Sequence, residues 1–320
     1  IGCGGIANGK HMPALKTVKD VEMVAFCDIV LERAEKAAKQ YGTPDAKVFT
    51  DYKDLLAMEE IDVVHVLTPN RSHSFITVDA LRAGKHVMCE KPDAINAAEA
   101  EKMKAAAQKS GKVLMVMRNN RFVDASVFAK KFIEKGKMGD IYCGRAGWQR
   151  RRGIPGKGGW FTTKAQSGGG PLIDLGVHVI DLVRYLAGNP KPVSVFGVTY
   201  NNLGPNRASG GQDWVSSTKG DFVYDVEDFA SAMIKFDNGL TLQVEASFNL
   251  NIKADKGEIE LFGTKAGAKL DPNVEIFTDL NGMFVNTKPT GNTGLSMNGL
   301  FDGEIKHFLA CCQGEAECIA

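Results

Sequence analysis

Gly2-Cys3-Gly4-Gly5-Ile6-Ala7 stands at the start of the chain and, more than any other stretch, sets the expected architecture. It matches the pattern G-x-G-x-x-G/A, in which the first glycine permits a tight turn and the second lets a phosphate approach the backbone. The small third residue lets a helix pack closely against a strand. After one predicted helix, the apolar run at 21–28 has the composition of a strand and ends on the carboxylate of Asp28. This succession predicts the first βαβ unit of a doubly wound sheet.

The alternation of strands and helices continues to about residue 117, which predicts a parallel sheet with helices on both faces. Strands are predicted at 48–49, 62–67, 86–89 and 113–117, and helices at 6–19, 31–41, 51–58, 72–83 and 96–110. Residues 1–117 are therefore predicted to form one domain. Its first strand is expected to be cut short at its start, because Ile1 directly precedes the glycine turn.

The second half of the chain has a different pattern, which predicts an α+β domain over residues 118–320. Helices are expected at 122–135 and 171–187, and long strands at 140–150, 192–200, 226–237, 240–250 and 257–263. Asn238-Gly239 is typical of a hairpin turn, so the sheet is expected to be large, open and mostly antiparallel. The stretch 201–224, rich in Gly, Asn and Ser, is either a mobile loop or part of a pocket.

Composition excludes several classes of protein. Lys and Arg (39) nearly balance Asp and Glu (38), and no basic stripe offers a nucleic-acid surface. No apolar run reaches the roughly 18 residues that a membrane helix needs. Seven scattered cysteines without a C-x-x-C pair favour a reducing compartment, and we expect the cytoplasm. The six histidines form no H-E-x-x-H motif, so no metal site is expected.

The glycine turn predicts a dinucleotide site. Gly2, Gly4, Gly5, Ile6 and Ala7 would carry the pyrophosphate at a helix N-terminus. Asp28, followed by Ile29, would accept hydrogen bonds from both adenosine ribose hydroxyls and repel a 2′-phosphate, which favours NAD over NADP. The alternative is that Asp28 only caps the helix that follows it.

Two further groups of polar residues follow predicted strands, where open parallel sheets bind their ligands. Thr68, Asn70 and His73 follow the strand at 62–67, and Glu90-Lys91-Pro92 follows the strand at 86–89. We expect these residues on the nicotinamide side, where Lys91 could bind a substrate hydroxyl and help to move its proton. The alternatives are a helix-capping loop at 68–73 and an ordinary surface cation at Lys91.

Asp174 and His178 lie four residues apart in an otherwise apolar helix and therefore share one face. Gly176 removes a side chain beside them. A buried acid and a buried histidine are costly unless they are paired. They are either a self-satisfied pair in the core or one wall of a pocket, where His178 exchanges a proton and Asp174 holds a hydroxyl or orients His178.

In their order along the chain, these segments resemble the glucose–fructose oxidoreductase and inositol dehydrogenase family, called Gfo/Idh/MocA. The resemblance includes Ala-Gly-Lys-His-Val-Met-Cys-Glu-Lys-Pro at 83–92 and Gly-Gly-Gly-Pro-Leu-Ile-Asp-Leu-Gly-Val-His at 168–178. It implies a Rossmann domain followed by an α+β domain whose open sheet often forms an oligomer interface, so a dimer or tetramer is expected. It also implies NAD as cofactor, Lys91 as the catalytic lysine, Asp174 and His178 as the acid–base pair, and Arg121 near the active site.

The basic loop at 150–155 and the segment at 159–164 resemble a branch of the family that acts on glucosides and related sugars, some members oxidising the C3 hydroxyl. Within this loop region, Arg152 and Trp160 are candidate substrate-binding residues. The resulting prediction is hydride transfer between a secondary alcohol of a sugar, glycoside or polyol and NAD. The alternatives are a myo-inositol-type cyclitol dehydrogenase, a redox-assisted glycosidase that keeps its NAD bound, and a non-catalytic NAD-binding regulator.

Overall fold

The structure is a computed structural model that describes residues 1–156, 158–204, 223–271, 273–290 and 300–320. The chain divides into two compact units. The first comprises Ile1–Asn119 together with Asn298–Ala320, and the second comprises Asn120–Met297. Most of the Gly/Asn/Ser-rich stretch at 201–224 lies outside the described residues.

The first unit contains parallel strands in a Rossmann-type arrangement, as predicted. β1 (Ala25–Cys27) pairs with β2 (Lys47–Phe49), and β4 (His86–Cys89) pairs with both β3 (Val63–Val66) and β5 (Leu114–Val116). The start of the chain lies between these two groups of strands. Gly2 N–H donates to the Cys27 carbonyl (2.7 Å), and Leu67 N–H donates to the Ile1 carbonyl (2.8 Å). The glycine turn therefore follows directly from the middle of the sheet.

The helices of the first unit alternate with these strands, and two of them begin at a side-chain cap. Asp51 and Asn96 accept backbone N–H groups at two of the helix starts, and Gly111, with φ +67°, follows the end of one helix. A π-helical turn, Ala7–His11, continues directly into the first α-helix. The helices are α1 (Met12–Thr17), α2 (Leu31–Tyr41), α3 (Tyr52–Leu56), α4 (Asn70–Arg82) and α5 (Ala97–Ser110).

The last helix of the chain, Leu300–Cys312, also belongs to the first unit, whereas the second domain was expected to extend to residue 320. Phe301 and Phe308 of this helix are buried and meet the rings of His11 and His65 edge-on, at centroid distances of 5.1 and 5.9 Å. An apolar helix face shows that the helix will be covered, but it does not show which unit covers it. That choice depends on tertiary packing.

The second unit is built on an eight-stranded sheet in the order β13-β12-β11-β10-β6-β9-β8-β7. Only β6 and β9 are parallel neighbours, and the other pairs are antiparallel, which confirms the mostly antiparallel sheet. The three strands β11, β12 and β13 were not predicted. The strands are β6 (Ile141–Gln149), β7 (Pro192–Tyr200), β8 (Phe229–Phe236), β9 (Thr241–Ser247), β10 (Lys256–Gly263), β11 (Ala266–Asp271), β12 (Glu275–Leu280) and β13 (Met283–Thr287).

One face of this sheet is covered by helices. Leu242, Val244 and Ala246 of β9 are fully buried and alternate with more exposed residues, as expected for a strand with one covered face. The helices are α6 (Asp124–Glu134), the short α7 (Lys164–Ser167), and a π-helical turn (Leu172–Gly176) that continues into α8 (Val177–Leu186). We name Leu300–Cys312 α9. Across the described ranges, no helix is both long and apolar enough to cross a membrane.

Candidate active site

The glycine turn of the first unit has the shape that a pyrophosphate site requires. Gly2 has φ +91°, and a Cβ at this position would lie 2.6 Å from the Leu67 carbonyl oxygen, so packing alone demands glycine. A Cβ added at Gly4 or Gly5 would meet nothing within 4 Å. Ala7 is fully buried, as the pattern requires of its small third residue. The open space at Gly4 and Gly5 is therefore available to a phosphate group, and these residues fit NAD.

The Asp28 carboxylate accepts two backbone N–H groups and can still accept hydrogen bonds from a ligand. Its two carboxylate oxygens accept the Cys3 N–H (2.8 Å) and the Val30 N–H (2.9 Å), so it fixes the glycine turn and the loop before α2. A carboxylate has about four acceptor sites, so each oxygen can still accept a ribose hydroxyl. Ile29 is 90% exposed beside it, and Ile6 is 40% exposed. Both are apolar surfaces next to the predicted adenosine site.

His73 connects the loops that follow β3 and β4. Its ring nitrogens lie 2.7 Å from the Pro92 carbonyl oxygen and 2.7 Å from the Thr68 carbonyl oxygen, and the residue is 1% exposed. Burial lowers the pKa of His73, while these two contacts act in the opposite direction. The structure thus gives His73 a role in holding the two loops together, and its contact with the cofactor stays a prediction. Asn70 is buried at the start of α4.

Glu90 and Lys91 directly follow β4. The buried Glu90 carboxylate accepts a hydrogen bond from His11 Nε2 (2.8 Å) and another from the Lys91 backbone N–H (2.9 Å). Burial by itself would raise the pKa of Glu90. The hydrogen bond and the charge interaction with His11, followed by the positive charge of Lys91, outweigh burial, and the pKa is lowered to about 2. Glu90 is therefore an anion fixed within the unit.

Asp174 and His178 belong to the second unit. Asp174 is buried in the π-helical turn, and His178 is half-buried in the first turn of α8. The His178 ring lies 5.7 Å from the Trp148 ring, centroid to centroid. A Cβ at Gly176 would lie 3.0 Å from the Leu172 side chain and 3.8 Å from Ala246. Gly176 therefore makes room for packing against the sheet and not for the two polar residues.

The start of this helical segment is held by Glu227, which nothing in the sequence pattern distinguishes. Its carboxylate accepts the Gly170 N–H (2.9 Å) and the Leu172 N–H (3.2 Å), satisfying donors that a helix start leaves free. A Cβ at Gly170 would lie 2.1 Å from the Glu227 carbonyl oxygen, which explains a glycine there. The turn that carries Asp174 is thus fixed from a distant part of the chain.

The positive charge of Arg150 interacts with the carboxylate of Asp174. Burial lowers the pKa of Arg150, and the negative charges of Asp174 and Asp255 oppose that shift. Its guanidinium lies 5.6 Å from the centroid of the Trp148 ring and donates to the Gly153 carbonyl (3.1 Å). Trp148, Arg150, Asp174 and His178 therefore form one cluster, which we call the second-unit cluster. It combines an aromatic face with both signs of charge.

The other predicted substrate-binding residues are engaged elsewhere. Arg152 donates to the carbonyls of Arg151 (2.6 Å) and Leu250 (3.1 Å) and to the Asn251 side chain (2.8 Å), so it joins its loop to the segment at 250–251. Trp160 stacks on Phe161 at a centroid distance of 3.7 Å. Neither contact points to a substrate, and Arg150 is the stronger candidate within this loop.

Arg121 forms a two-pronged ion pair with Asp181 of α8, with Nε 2.8 Å from Oδ2 and a second bond from the terminal nitrogen to Oδ1. It also lies 4.8 Å from the centroid of the Tyr185 ring. Because its guanidinium is committed to α8, the structure assigns Arg121 to anchoring this helix one turn after His178. Substrate binding by Arg121 stays a prediction.

In the parts of the chain that the structure describes, no group of three or more His, Cys, Asp or Glu residues could hold a metal ion.

Comparison with known proteins identifies the family. Residues 1–118 match the family described as an oxidoreductase family with an NAD-binding Rossmann fold, and residues 127–269 match the GFO/IDH/MocA C-terminal domain. The chain belongs to the Gfo/Idh/MocA family. It is therefore an oxidoreductase whose first domain binds NAD.

Individual members of the Gfo/Idh/MocA family are similar along most of the chain. D-glucoside 3-dehydrogenase of Escherichia coli (strain K12) is 39% identical over 284 residues, 88% of this chain and 78% of that protein. Levoglucosan dehydrogenase of Pseudarthrobacter phenanthrenivorans is 34% identical over 73% of this chain and 61% of that protein. A solved structure of levoglucosan dehydrogenase with NADH and L-sorbose has a TM-score of 0.81 and 26% identity, covering 97% of this chain and 88% of that one.

Proposed function

We propose that the chain is an NAD-dependent dehydrogenase acting on a secondary alcohol of a sugar, glycoside or polyol. The observation that carries this proposal is the second-unit cluster, in which Trp148 offers an apolar face while Arg150, Asp174 and His178 offer donors and acceptors. Sugars present both kinds of surface. The similarity to D-glucoside 3-dehydrogenase and to levoglucosan dehydrogenase supports the same substrate class.

Each candidate group has a distinct task in this reaction. When bound, NAD supplies the nicotinamide ring that takes up or returns the hydride. Lys91 binds the reacting hydroxyl and moves its proton, and His178 exchanges a proton with the substrate. Asp174, beside Arg150, accepts a hydrogen bond from a sugar hydroxyl. Gly2, Gly4, Gly5, Ala7 and Asp28 hold the dinucleotide.

Within the substrate class, we propose a glucoside oxidised at C3. This choice rests on the 39% identity to a D-glucoside 3-dehydrogenase over most of the chain. Inositol 2-dehydrogenases match a shorter part, 43% of the chain at 36% identity.

We further propose a homo-oligomer, a dimer or tetramer, in the cytoplasm. All nine residues of the edge strand β7 are exposed, including Val195 (69%) and Phe196 (77%). Apolar surface of this kind favours association. The seven cysteines are free thiols, which is in keeping with a reducing compartment.

The test is NADH formation measured across free sugars, inositols and aryl glucosides, with the position of the new ketone determined by NMR. We expect turnover with glucosides, and we expect Lys91→Ala and His178→Ala to lose it while still binding NADH. Lys104→Ala, at an exposed lysine of α5, is the matched control. Normal turnover in Lys91→Ala would refute the mechanism.

Two other results would replace the proposal. Release of the aglycone without net NADH formation would identify a redox-assisted glycosidase. Firm NAD binding without hydride transfer on any compound of the panel would identify a non-catalytic regulator.

A further inference from the structure

A buried chain of polar groups lies directly behind Lys91 in the first unit. His11, which is 0% exposed, has its Nε2 2.8 Å from Glu90 Oε1, and its Nδ1 lies 3.4 Å from His65 Nδ1. The order of the groups is therefore Glu90, His11, His65. None of the three is needed for the acid–base steps assigned above.

The contacts of Glu90 suit an ionised carboxylate. Both of its oxygens accept hydrogen bonds from N–H donors, one from His11 and one from the Lys91 backbone. The Lys91 backbone N–H can only donate, and an ionised carboxylate can accept that bond and the one from His11 together. Among the influences that lower the pKa of Glu90, the hydrogen bond from His11 is the largest.

The hydrogen bonds of His11 and His65 can all form when both rings are neutral. Because Glu90 accepts, His11 Nε2 carries the hydrogen of their bond, and His65 can donate from Nδ1 to the bare Nδ1 of His11. This arrangement leaves His65 Nε2 as an acceptor without a partner among the described residues. If His11 Nδ1 donated to His65 Nδ1 instead, the hydrogen of His65 would lie on Nε2. Proteins avoid a buried N–H donor without an acceptor more strictly than a buried acceptor without a donor. Burial also lowers the pKa of His65 well below its usual value.

The chain of groups is closed off by aromatic rings of α9. Phe301 packs edge-on against His11, and Phe308 packs edge-on against His65. Both phenylalanines are buried, as is Glu90. A charge in such a low-dielectric setting acts over longer distances than the same charge in water. Lys91, at the same strand end, carries a positive charge, and Asp93, two residues later, is paired with Arg118.

We propose that the Glu90 anion, held by His11, stabilises the oxidised cofactor over the reduced one. The nicotinamide ring is a cation in NAD⁺ and neutral in NADH, so a fixed anion favours NAD⁺ and offsets the repulsion from Lys91. Glu90 follows β4 at the edge of the parallel sheet where ligands bind. The inference rests on the proposed function, which puts the nicotinamide beside Lys91.

The experiment compares the dissociation constants of NAD⁺ and NADH for the full chain by titration calorimetry. Glu90→Gln is expected to weaken NAD⁺ relative to NADH by roughly tenfold, because the amide keeps the shape and removes the charge. Glu101→Gln, which neutralises an exposed glutamate of α5, should leave the ratio unchanged. An unchanged ratio in Glu90→Gln overturns the inference.

Two further variants sharpen the result. The Gln side chain of His11→Gln can still donate to Glu90. A ratio of the NAD⁺ and NADH dissociation constants close to that of the original chain supports a net negative pair of Glu90 and His11. A shift in favour of NAD⁺ shows that His11 was itself charged and overturns the proposal. If Glu90→Gln does not fold, the double variant Glu90→Gln with His11→Gln keeps an amide–amide hydrogen bond and tests the same charge.

The outcome is separable from that of the proposed function. The dehydrogenase proposal fails if Lys91→Ala retains turnover. The present inference fails if the binding ratio is insensitive to Glu90, whatever the turnover.

Discussion

At the scale of single residues, neighbours in sequence perform different tasks. Gly2 is required by the fold, because a Cβ there would collide with Leu67, whereas Gly4 faces open space. The charge of Arg150 interacts with Asp174, whereas Arg152 donates to the Leu250 carbonyl. Each pair offers a comparison in which one change should affect folding or architecture and the other should affect binding.

Gly2→Ala and Gly4→Ala should separate stability from cofactor binding. Gly2→Ala puts a non-glycine residue at φ +91° and its Cβ against the Leu67 carbonyl group. We therefore expect a loss of several kcal/mol in the free energy of unfolding. Gly4→Ala should leave that free energy nearly unchanged and raise the Kd for NAD, because the new methyl fills the phosphate space. Urea unfolding and calorimetric titration measure the two effects. Equal stability losses in both variants would contradict this assignment.

Arg150→Gln should lower kcat/KM for the sugar by about 10- to 100-fold, the effect of losing one charged hydrogen bond. Arg152→Gln, the matched control two residues later, should lower it by much less, because its partners are the carbonyls of Arg151 and Leu250 and the Asn251 side chain. Steady-state kinetics on the best glucoside decides between them. A larger loss in Arg152→Gln would restore the sequence-based choice.

At the scale of elements, the site depends on how helix starts are held. Glu227 satisfies the N–H groups of Gly170 and Leu172 at the start of the turn that bears Asp174. The bidentate pair of Arg121 and Asp181 fixes α8 one turn after His178. Glu227 and Arg121 are both far in sequence from the residues that they position.

Glu227→Ala should destabilise the chain by about 1–3 kcal/mol, because two N–H groups lose a charged acceptor. It should also lower kcat, since the turn that carries Asp174 loosens. Glu258→Ala removes a half-buried glutamate of β10 and serves as the comparison. Unfolding in urea and turnover measured on the same samples test both effects. Unchanged stability in Glu227→Ala would show that the cap contributes nothing.

At the scale of the whole molecule, the chain returns to its first unit at its end. α9 supplies Phe301, Ile305 and Phe308 to the buried interior of a unit whose other elements come from residues 1–119. The second unit carries the open sheet, whose edge strand β7 is exposed throughout. Folding and association are therefore predicted to depend on different parts of the chain.

Phe308→Ala should cost about 3–5 kcal/mol of stability and weaken NAD binding, because it empties a fully buried site against His65. Phe284→Ala, at a position 96% exposed, should leave the stability of the monomer unchanged. Thermal unfolding with and without NAD measures both. A destabilised Phe308→Ala chain that binds NAD normally would argue against a role for α9 in the cofactor unit.

Phe196→Glu should weaken the proposed oligomer without unfolding the subunit, because the side chain is 77% exposed in β7. Light scattering after gel filtration should report a smaller mass for the variant. Thr199→Glu is the comparison. It introduces the same charge on the same strand in place of a smaller and more polar side chain. An unchanged mass in Phe196→Glu would move the interface away from β7.

Much of the architecture followed from local patterns alone. The bounds of α2 and β7 were predicted to the residue, because an amphipathic period and a run of β-branched and aromatic residues are local signals. The glycine turn and the acid at Asp28 pointed to a dinucleotide for the same reason, since the motif is contiguous. Lys91, Asp174 and His178 were chosen from short motifs and from the family resemblance, and their roles stay predictions.

Tertiary structure decided the remaining features. The partners of Glu90, the cap at Glu227, the packing of α9 and the preference for Arg150 over Arg152 each join segments far apart in the chain. Hydrogen bonds and charges act through space, and a one-dimensional pattern carries no information about which distant group will supply the partner. The opening motif Gly2–Ala7 therefore predicted a nucleotide site, while only the folded chain showed that Gly2 serves the fold and that Gly4 and Gly5 leave space for the ligand.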